Sequence, residues 1–384
     1  MMQTGSGRRG SARSKEMPNA SPTVLISGYY GCGNIGDEAV LGGMLHALKQ
    51  IRSDSEVQYI VLSQNPPETA NMHHVPSLHR MRFGDVYHMI NRCNLLISGG
   101  GSLLQDTTSL HSLVYYLFVI YLAIKCKKPA VIYAQGIGPI RRPLARYVTQ
   151  WVLNKTRFIT VRDEESRRLL KTIKVSIPPI TVTSDPAFLL EPADTGKVGA
   201  ILLENRVPKD KKLMGFALRP WKYPSLEHLT AMVEEISKLT EYHPVFLPMH
   251  SGSDIFFSSM IREKLNCPSS IIRSKMNYEE ALGVISSFTA IAAMRLHALI
   301  FGASTGSKLF SLSYDPKVES LMKSLDLDAY CEDVQGFDPV NAAKKVAKMI
   351  EDPNAGRVTQ EKMALIRESA IENAKIALAI LDEK

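Results

Sequence analysis

The sequence predicts an α/β protein built from two Rossmann-like, doubly wound domains that face each other across a cleft. Two observations lead to this fold class. Short apolar runs alternate with helical patterns from residue 23 to residue 183, and the same alternation restarts at residue 213. Glycine-rich or basic segments directly follow several of these runs. Because open parallel sheets bind ligands beyond the carboxyl ends of their strands, we expect these segments to form a common site.

The strands are predicted from apolar runs, because the strands of a parallel sheet are buried on both faces. In the first domain these runs cover residues 23–27, 57–62, 95–98, 130–135, 158–161 and 181–183. In the second domain they cover residues 213–218, 245–247, 290–293 and 309–312. Helical periodicity lies between the runs, beginning with a helix over about residues 37–51.

Changes in composition divide the chain into five segments. Residues 1–22 are predicted to be a disordered basic arm, residues 23–195 the first domain and residues 213–340 the second. Pro, Gly, Asp and Lys concentrate between the domains, so residues 196–212 are predicted to be a linker that acts as a hinge. Residues 341–384 are predicted to be C-terminal helices, the last of which could cross back to the first domain.

The composition limits the classes of function. The 384-residue chain has a formal net charge of +8, which favours anionic partners. It has no RNP-like aromatic motif or zinc-finger spacing, which argues against nucleic acid. The chain contains no apolar run of about 18 residues that could span a bilayer. The N-terminus lacks the apolar centre of a signal peptide. Five scattered cysteines without a CxxC spacing argue against a disulfide framework and a metal site, so we expect a reducing cytoplasm.

A glycine-rich segment, residues 28–38, follows the first predicted strand. Its glycines, Gly33 among them, would let backbone N–H groups approach a ligand. Asn34 and Asp37 would then be hydrogen-bonding groups beside a substrate. The alternative is a tight turn in which Asp37 caps the following helix.

A second glycine-rich segment, residues 98–106, follows the third predicted strand. Its three consecutive glycines, including Gly100 and Gly101, are typical of a backbone that approaches a ligand closely. Asp106 is either a polar group in the cleft or a cap for the next helix. That helix, residues 110–124, is unusually apolar, so it is either buried or in contact with a membrane.

Basic side chains stand at the ends of further strands. Arg141 and Arg142 precede a helix, and an arginine can hold a carboxylate or phosphate by two parallel hydrogen bonds. In the second domain, Arg219 and His250 close two strands. We expect the arginine pair to hold an anionic ligand, unless the two are ordinary surface arginines, and Arg219 and His250 to line another part of the cleft.

The sharpest signal is Arg295 and His297 at the end of one strand, followed by Lys317 at the end of the next. A histidine beside two cations is a titratable group in an anion site. A bound anion would favour the imidazolium form, so ligand binding would prepare His297 to act as an acid.

Together the motifs resemble the polysaccharide pyruvyl transferase family, in particular its bacterial cell-wall type, CsaB. The matching segments cover about residues 23–317 in the expected order. They are GxGNxGDE at residues 31–38, GGGSLLQD at 99–106, AQGIGP at 134–139, Arg-Asp at 162–163, Ser-Asp-Pro at 184–186, Met-Arg-Leu-His at 294–297 and Leu-Ser-Tyr-Asp-Pro-Lys at 312–317.

The resemblance implies a glycosyltransferase-B-like fold and an enzyme that uses phosphoenolpyruvate as co-substrate, without a cofactor or metal. Two hydroxyls of a sugar would become bridged by a pyruvyl ketal. For the cell-wall type, the acceptor is a lipid-diphosphate-linked disaccharide containing N-acetylmannosamine, at the cytoplasmic face of the membrane. The product belongs to the secondary cell-wall polymer that S-layer proteins bind. A basic protein that contacts this membrane face peripherally fits the charge.

A mechanism follows as a hypothesis. His297 would protonate the enol carbon, Arg295 with Arg141 or Arg142 would hold the carboxylate and phosphate, and Lys317 would stabilise the departing phosphate.

Two other functions remain open from the sequence. One is a nucleotide-sugar glycosyltransferase of the same two-domain shape, which would need a carboxylate placed to read a ribose. The other is a catalytically silent protein that binds anionic lipid or polysaccharide.

Overall fold

A computed structural model of the chain describes residues 21–107, 109–250 and 252–383. Most of the predicted N-terminal arm, residues 1–20, lies outside this range. The elements of the first domain, in chain order, are β1 Thr23–Ser27, α1 Ile35–Ile51, β2 Gln58–Ser63, α2 Pro66–His73, β3 Ser77–His79, α3 Phe83–Arg92, β4 Leu95–Ser98, α4 Leu110–Lys125, β5 Ala130–Gln135, α5 Pro143–Leu153, β6 Phe158–Val161, α6 Glu164–Thr172, β7 Ile180–Val182 and a 3-10 turn Pro186–Leu189.

A helix, α7 Thr195–Glu204, then leads to the second domain. The elements that follow are β8 Leu213–Ala217, α8 Leu226–Leu239, β9 His243–Phe246, α9 Ser253–Lys264, β10 Ser270–Ile271, α10 Tyr278–Ser286, β11 Phe288–Ala293, α11 Leu296–Thr305, β12 Lys308–Ser313, α12 Pro316–Ser324, a 3-10 turn Asp328–Tyr330, β13 Cys331–Asp333, α13 Pro339–Glu351 and α14 Gln360–Asp382.

The two sheets share one topology. The first has the strand order β3-β2-β1-β4-β5-β6-β7, and the second has the order β10-β9-β8-β11-β12-β13, with every strand pair parallel. Each order reverses beside its first strand, between β1 and β4 and between β8 and β11. These reversals are the switch points at which doubly wound sheets bind ligands, so the predicted fold class is confirmed.

Three strands were not predicted, namely β3, β10 and β13. All three are edge strands of two or three residues, and β3 and β13 are partly exposed. They owe their extended form to pairing with a neighbour rather than to an apolar run of their own, so apolar patterning cannot reveal them.

Part of the segment predicted to be a linker is helical. Asp194 caps α7 by accepting hydrogen bonds from the N–H groups of Gly196 and Lys197, both at 3.0 Å. Val198 of α7 is buried against α10, where a Cβ on Gly283 would lie 2.5 Å from it. This helix therefore packs on the second domain, although its glycine content suggested a flexible connection.

The last helix, α14, packs on the first sheet. Its buried alanines join α1 and strands β1, β4 and β5 in one core, on the face opposite α3, α4 and α5. Asn373 of α14 is fully buried, accepts a 2.7 Å hydrogen bond from the Thr183 hydroxyl and donates one of 3.1 Å to the Ser184 carbonyl. These bonds fix the register of α14 against the end of β7.

The two domains share a continuous apolar core. Ala39 of α1 and Phe188 of the first 3-10 turn belong to the same buried cluster as α10 and α11 of the second domain. Two glycines allow α1 to pack this closely, since a Cβ on Gly43 would lie 2.0 Å from the Pro186 carbonyl oxygen and one on Gly42 would lie 2.6 Å from the Tyr278 ring.

Candidate active site

A cleft of about 400 Å³ lies between the two sheets. Its walls are formed by the segments that follow β1, β4, β6, β8, β9, β11 and β12, so both switch points open into it. The two walls also touch, because Asn34 forms a backbone bridge with His250 and the Ile35 N–H donates to the Met249 carbonyl at 3.2 Å.

The structure brings many of the predicted site residues to this cleft. Those that line it are Asn34, Asp37, Gly101, Arg219, His250, Arg295, His297 and Lys317. Those that do not line it are Gly33, Gly100, Asp106, Arg141 and Arg142.

The first loop differs from the interpretation in which Asp37 caps the following helix. Asn34, not Asp37, caps α1, because its side chain accepts a 3.1 Å hydrogen bond from the Gly36 N–H. Asp37 lies in the first turn, where it accepts a hydrogen bond from the Asn34 amide and faces the cleft. The helix begins two residues earlier than predicted, which turns the Asp37 carboxylate from a cap into a site residue.

Asp37 has a perturbed pKa. Burial is the largest cause and raises the pKa of this carboxyl, the neighbouring Glu38 raises it further, and the charges of His297 and Arg162 oppose the increase. The resulting pKa is about 6. A carboxyl that titrates near neutrality in a cleft can accept or donate a proton during a reaction.

Glu38 points away from Asp37. It accepts a 2.7 Å hydrogen bond from the Gly31 N–H and contacts His73 Nε2 at 2.9 Å, and the His73 ring stacks on Tyr278. Adjacent helical residues diverge in direction, so Glu38 holds the loop in place while Asp37 faces the cleft.

The triple glycine serves two purposes. A Cβ on Gly101 would lie 2.8 Å from Asp37 Oδ1, so this glycine lets the backbone approach the cleft carboxylate. A Cβ on Gly100 would instead lie 2.5 Å from the Val40 side chain on α1. Gly100 therefore permits helix packing and is not placed to contact a ligand.

Asp106 neither enters the cleft nor caps α4, whose cap is Ser109. It accepts 2.8 Å hydrogen bonds from the N–H groups of both Arg141 and Arg142. Burial opposes ionisation of Asp106, but these two hydrogen bonds and the adjacent arginine charges lower its pKa overall. The side chains of Arg141 and Arg142 are exposed outside the cleft.

A buried ionic chain lies beside His297. Arg162 donates a 2.6 Å hydrogen bond to Asp185 and a 3.1 Å hydrogen bond to the Ser102 hydroxyl. His297 Nε2 lies 3.7 Å from the same Asp185 oxygen, which is beyond hydrogen-bonding distance. On the other side of the ring, a Cβ on Gly36 would lie 2.2 Å from His297 Nδ1.

The Asp185 carboxylate stays ionised. Burial alone would raise its pKa, but His297, Arg162 and the Ala187 N–H hold the pKa of Asp185 well below its usual range. The structure therefore places a fixed negative charge 3.7 Å from the His297 ring nitrogen Nε2.

Arg295 is oriented by a fully buried carboxylate. Its Nε donates a 2.9 Å hydrogen bond to Asp254, and its Nη2 donates a second, charge-assisted one. Asp254 also accepts from the His250 N–H at 3.1 Å. One edge of the guanidinium is thereby occupied, and the remaining N–H groups are available to the cleft.

Aromatic rings hold the third arginine. Arg219 donates a 2.9 Å hydrogen bond to the Tyr314 hydroxyl, and its guanidinium lies 4.9 Å from the ring centroids of both Tyr314 and Trp221. Lys317, in the first turn of α12, lies 3.3 Å from Asp315 and projects into the same cleft. The described part of the chain contains no cluster of His, Cys, Asp or Glu that could hold a metal ion.

The fold and the cleft together define a class: two-domain α/β proteins that bind ligands between facing switch points, as in the glycosyltransferase-B fold. The polysaccharide pyruvyl transferase family matches residues 34–316, which is well over half of the sequence. The chain belongs to this family.

A curated relative is the amylovoran biosynthesis protein AmsJ of Erwinia amylovora. It is 20% identical, with 93% of this chain and 99% of that protein covered. This similarity, together with the family, indicates a transferase of polysaccharide biosynthesis.

Solved structures of the same fold are more distant in sequence. A UDP-GlcNAc 2-epimerase from Methanocaldococcus jannaschii gives a TM-score of 0.64 at 13% identity, covering 94% of this chain and 100% of that one. A glycosyltransferase from Rickettsia africae gives 0.60 at 12% identity, covering 95% and 100%. Anabaena HepE, solved with UDP and glucose, gives 0.58 at 11% identity, covering 94% and 98%. At these identities the similarity concerns the fold alone.

Proposed function

We propose that this protein transfers the enolpyruvyl group of phosphoenolpyruvate to a sugar and closes a pyruvyl ketal on it. The observation that carries the proposal is the convergence of Arg162, Arg219, Arg295 and Lys317 around His297 in one interdomain cleft. Phosphoenolpyruvate combines a phosphate and a carboxylate, and arginine forks match both groups. Membership of the pyruvyl transferase family supports the same chemistry.

His297 is proposed to act as the general acid. It donates a proton to C3 of phosphoenolpyruvate, and a sugar hydroxyl attacks the cationic C2 to form the first C–O bond. The C2–O bond to phosphate then breaks, and the second hydroxyl forms the ketal. Of the two hydroxyl protons, one restores His297 and the other leaves with inorganic phosphate. Asp185 supports the acid by keeping a negative charge 3.7 Å from Nε2.

The cationic side chains are proposed to bind the two anionic groups of phosphoenolpyruvate, its phosphate and its carboxylate. Arg219 and Arg162 take the place that the sequence suggested for Arg141 and Arg142, because the latter pair lies outside the cleft. Arg295 offers the guanidinium edge that Asp254 leaves free. Lys317, which follows the neighbouring parallel strand β12, stabilises the departing phosphate.

Asp37 is proposed to accept the proton of the first attacking hydroxyl and to pass it to the departing phosphate, which regenerates the carboxylate. It is the carboxylate that faces the cationic groups across the cleft, and its pKa of about 6 suits a base at neutral pH. Asn34, Gly101 and His250 surround it and would contact the acceptor sugar.

The acceptor is proposed to be a lipid-diphosphate-linked saccharide, with N-acetylmannosamine as the modified sugar, as in the CsaB type of the family. The product would enter a secondary cell-wall polymer, and the reaction would take place at the cytoplasmic face of the membrane. The motif resemblance and the relative named for amylovoran biosynthesis support a polysaccharide precursor as substrate.

The competing function is transfer of a sugar from a nucleotide, which the fold would also permit. Such a site needs groups that read a base and a ribose. In the described part of the second domain, the residues that line the cleft include arginine, lysine and histidine but no carboxylate for ribose hydroxyls. This favours phosphoenolpyruvate over a nucleotide sugar.

Calorimetric titration separates the two functions. We expect phosphoenolpyruvate to bind the wild-type chain, and Lys317→Gln to weaken that binding at least about tenfold, the effect of losing one charge-assisted contact. Lys344→Gln removes an equally charged, exposed residue on α13 and should leave binding unchanged. Binding of UDP-glucose without phosphoenolpyruvate would establish the glycosyltransferase instead.

The acid role of His297 has its own test. His297→Asn should retain phosphoenolpyruvate binding within a few-fold while turnover, followed by phosphate release with acceptor, falls about 100- to 10,000-fold. A variant that lost binding but kept turnover would contradict this role.

A further inference from the structure

Three neighbouring helices of the first domain leave an apolar surface uncovered. On α5, Leu144, Tyr147, Val148 and Trp151 are exposed, and they recur at the spacing of one helix face. Leu144 is 73% exposed and Tyr147 63% exposed. The opposite side of α5 is buried in the domain core, so this helix is apolar on both sides.

The surface continues across α4 and α3. Val114 and Phe118 of α4 and Phe83 and Tyr87 of α3 are also exposed. The rings of Phe83 and Phe118 are 6.1 Å apart. The rings of Tyr121 and Trp151 likewise connect α4 with α5 at 5.1 Å. We call the seven exposed side chains Phe83, Tyr87, Val114, Phe118, Leu144, Tyr147 and Trp151 the aromatic face.

The aromatic face lies in a basic part of the chain. Residues 83–157, which span this face, contain nine Lys and Arg and two acidic residues, giving a formal charge of +7. One acid, Asp85, is exposed on α3, and the other, Asp106, is buried against the backbone of Arg141 and Arg142. The basic side chains at the helix ends, including Arg141, Lys127 and Lys155, are exposed. Lys155 lies 4.8 Å from the Trp151 ring.

We propose that the aromatic face docks on the surface of a bilayer that contains anionic lipid. Trp and Tyr with a border of Lys and Arg is the composition that favours the headgroup region. Three adjacent helices, each about 10 Å across, form an area broad enough for a flat partner. Each Lys or Arg near an anionic membrane contributes about 1 kcal/mol of attraction. No described helix is long and apolar enough to cross a bilayer.

The docked orientation would place the cleft beside the membrane. Ser109, Ser112 and Tyr116, at and near the start of α4, line the cleft, while Val114 and Phe118 of the same helix belong to the aromatic face. A lipid-linked molecule in the bilayer could therefore reach the cleft within the length of one helix. The docking proposal rests on the exposure and charge of the aromatic face and does not depend on the reaction assigned to the cleft.

Vesicle flotation tests the surface with the full chain. The probes are vesicles of phosphatidylcholine alone and of equal parts phosphatidylcholine and phosphatidylglycerol. The wild type should float with the anionic vesicles, and the triple variant Leu144→Ser/Tyr147→Ser/Trp151→Ser should partition at least about tenfold more weakly. Circular dichroism and thermal unfolding establish that the variant is folded.

A matched control removes the same number of exposed apolar side chains elsewhere. Leu203→Ser/Phe256→Ser/Leu365→Ser should float like the wild type, because these residues lie on α7, α9 and α14. A charge variant, Lys125→Gln/Lys127→Gln/Lys155→Gln, should also bind more weakly and respond less to salt.

Several outcomes would overturn the proposal. Equal flotation of the triple variant and the wild type would show that the aromatic face is not the docking surface. Equal binding to both kinds of vesicle would remove the requirement for anionic lipid. A wild-type dimer that the triple variant converts to a monomer, without flotation of either, would assign the face to a second copy of the chain.

Discussion

At the scale of single residues, the backbone at Gly36 sets the position of the His297 ring. A side chain at residue 36 would overlap the imidazole, since its Cβ would lie 2.2 Å from Nδ1 and 2.6 Å from Cγ. Gly36→Ala should therefore displace the ring and lower kcat at least about tenfold, as misplacement of a reacting group does. Gly199→Ala, on α7 with no atom within 4 Å of the added Cβ, is the control. Equal activity of the two variants would show that ring position is not critical.

The raised pKa of Asp37 predicts how the catalytic activity depends on pH. As a base this residue must be ionised, so log kcat/KM should fall with unit slope as the pH drops below about 6. Asp37→Asn should lose this acidic limb and most of the activity. Measuring kcat/KM of the wild type and Asp37→Asn from pH 5 to 8 tests this prediction. If the decrease at low pH persists in Asp37→Asn, another group causes that decrease.

The same residue predicts a stability difference of known sign. Because the pKa of Asp37 is raised in the folded state, that state binds more protons than the unfolded chain between about pH 4 and pH 6. Stability therefore decreases as the pH rises through this window. Above it, Asp37→Asn should be more stable than the wild type, by at most about 3 kcal/mol for a shift of about two pH units. Denaturant unfolding of both chains at pH 7 measures the difference.

Sequence reasoning found Arg295, His297 and Lys317 because each directly follows an apolar strand. It missed the supporting acids. Asp254 sits inside α9, and no sequence rule connects it with Arg295 some forty residues later. Asp185 and Arg162 appeared only as family motifs, and their pairing depends on two strand ends meeting in space. Arg141 and Arg142 were misplaced because a strand end alone does not fix side-chain direction.

At the scale of elements, helix α1 is fitted to its neighbours by its glycines. A Cβ on Gly43 would lie 2.0 Å from a backbone carbonyl oxygen of the first 3-10 turn, which cannot move as a side chain can. Gly43→Ala should lower the unfolding free energy by about 1–3 kcal/mol, the range for overpacking a well-filled core. Gly199→Ala, in an open helical position, should be neutral or slightly stabilising. Denaturant titration compares the two, and equal midpoints would refute close packing at Gly43.

Strands that are themselves apolar runs were predicted well, whereas the short edge strands were not. The buried central strands β1, β4 and β5 read as apolar runs and matched the structure to the residue. The start of α1 was predicted late because the capping role went to Asp37, whereas the extended residue Asn34 holds the Gly36 N–H. Asn and Asp are nearly equivalent as caps, so only backbone geometry could separate them.

At the scale of the whole molecule, the shared apolar core joins the two domains into one unit. Residues of α1 and the first 3-10 turn belong to the cluster that fills the second domain, and backbone bonds link Asn34 with His250 and Ile35 with Met249. We expect a single cooperative unfolding transition in calorimetry, with equal van't Hoff and calorimetric enthalpies. Two resolved transitions would indicate domains that unfold independently.

The return of α14 to the first sheet has a consequence for synthesis. A ribosome completes domains in order from the N-terminus, and an N-terminal unit usually folds while the rest is still being made. Here one face of the first sheet lacks its packing partner α14 until Ala370, Ala374 and Ala377 have been synthesised, after every strand of the second sheet. The nascent chain must therefore carry a sheet face that α1 covers only in part while the second domain is made, and this apolar surface is the kind that chaperones at the exit tunnel bind.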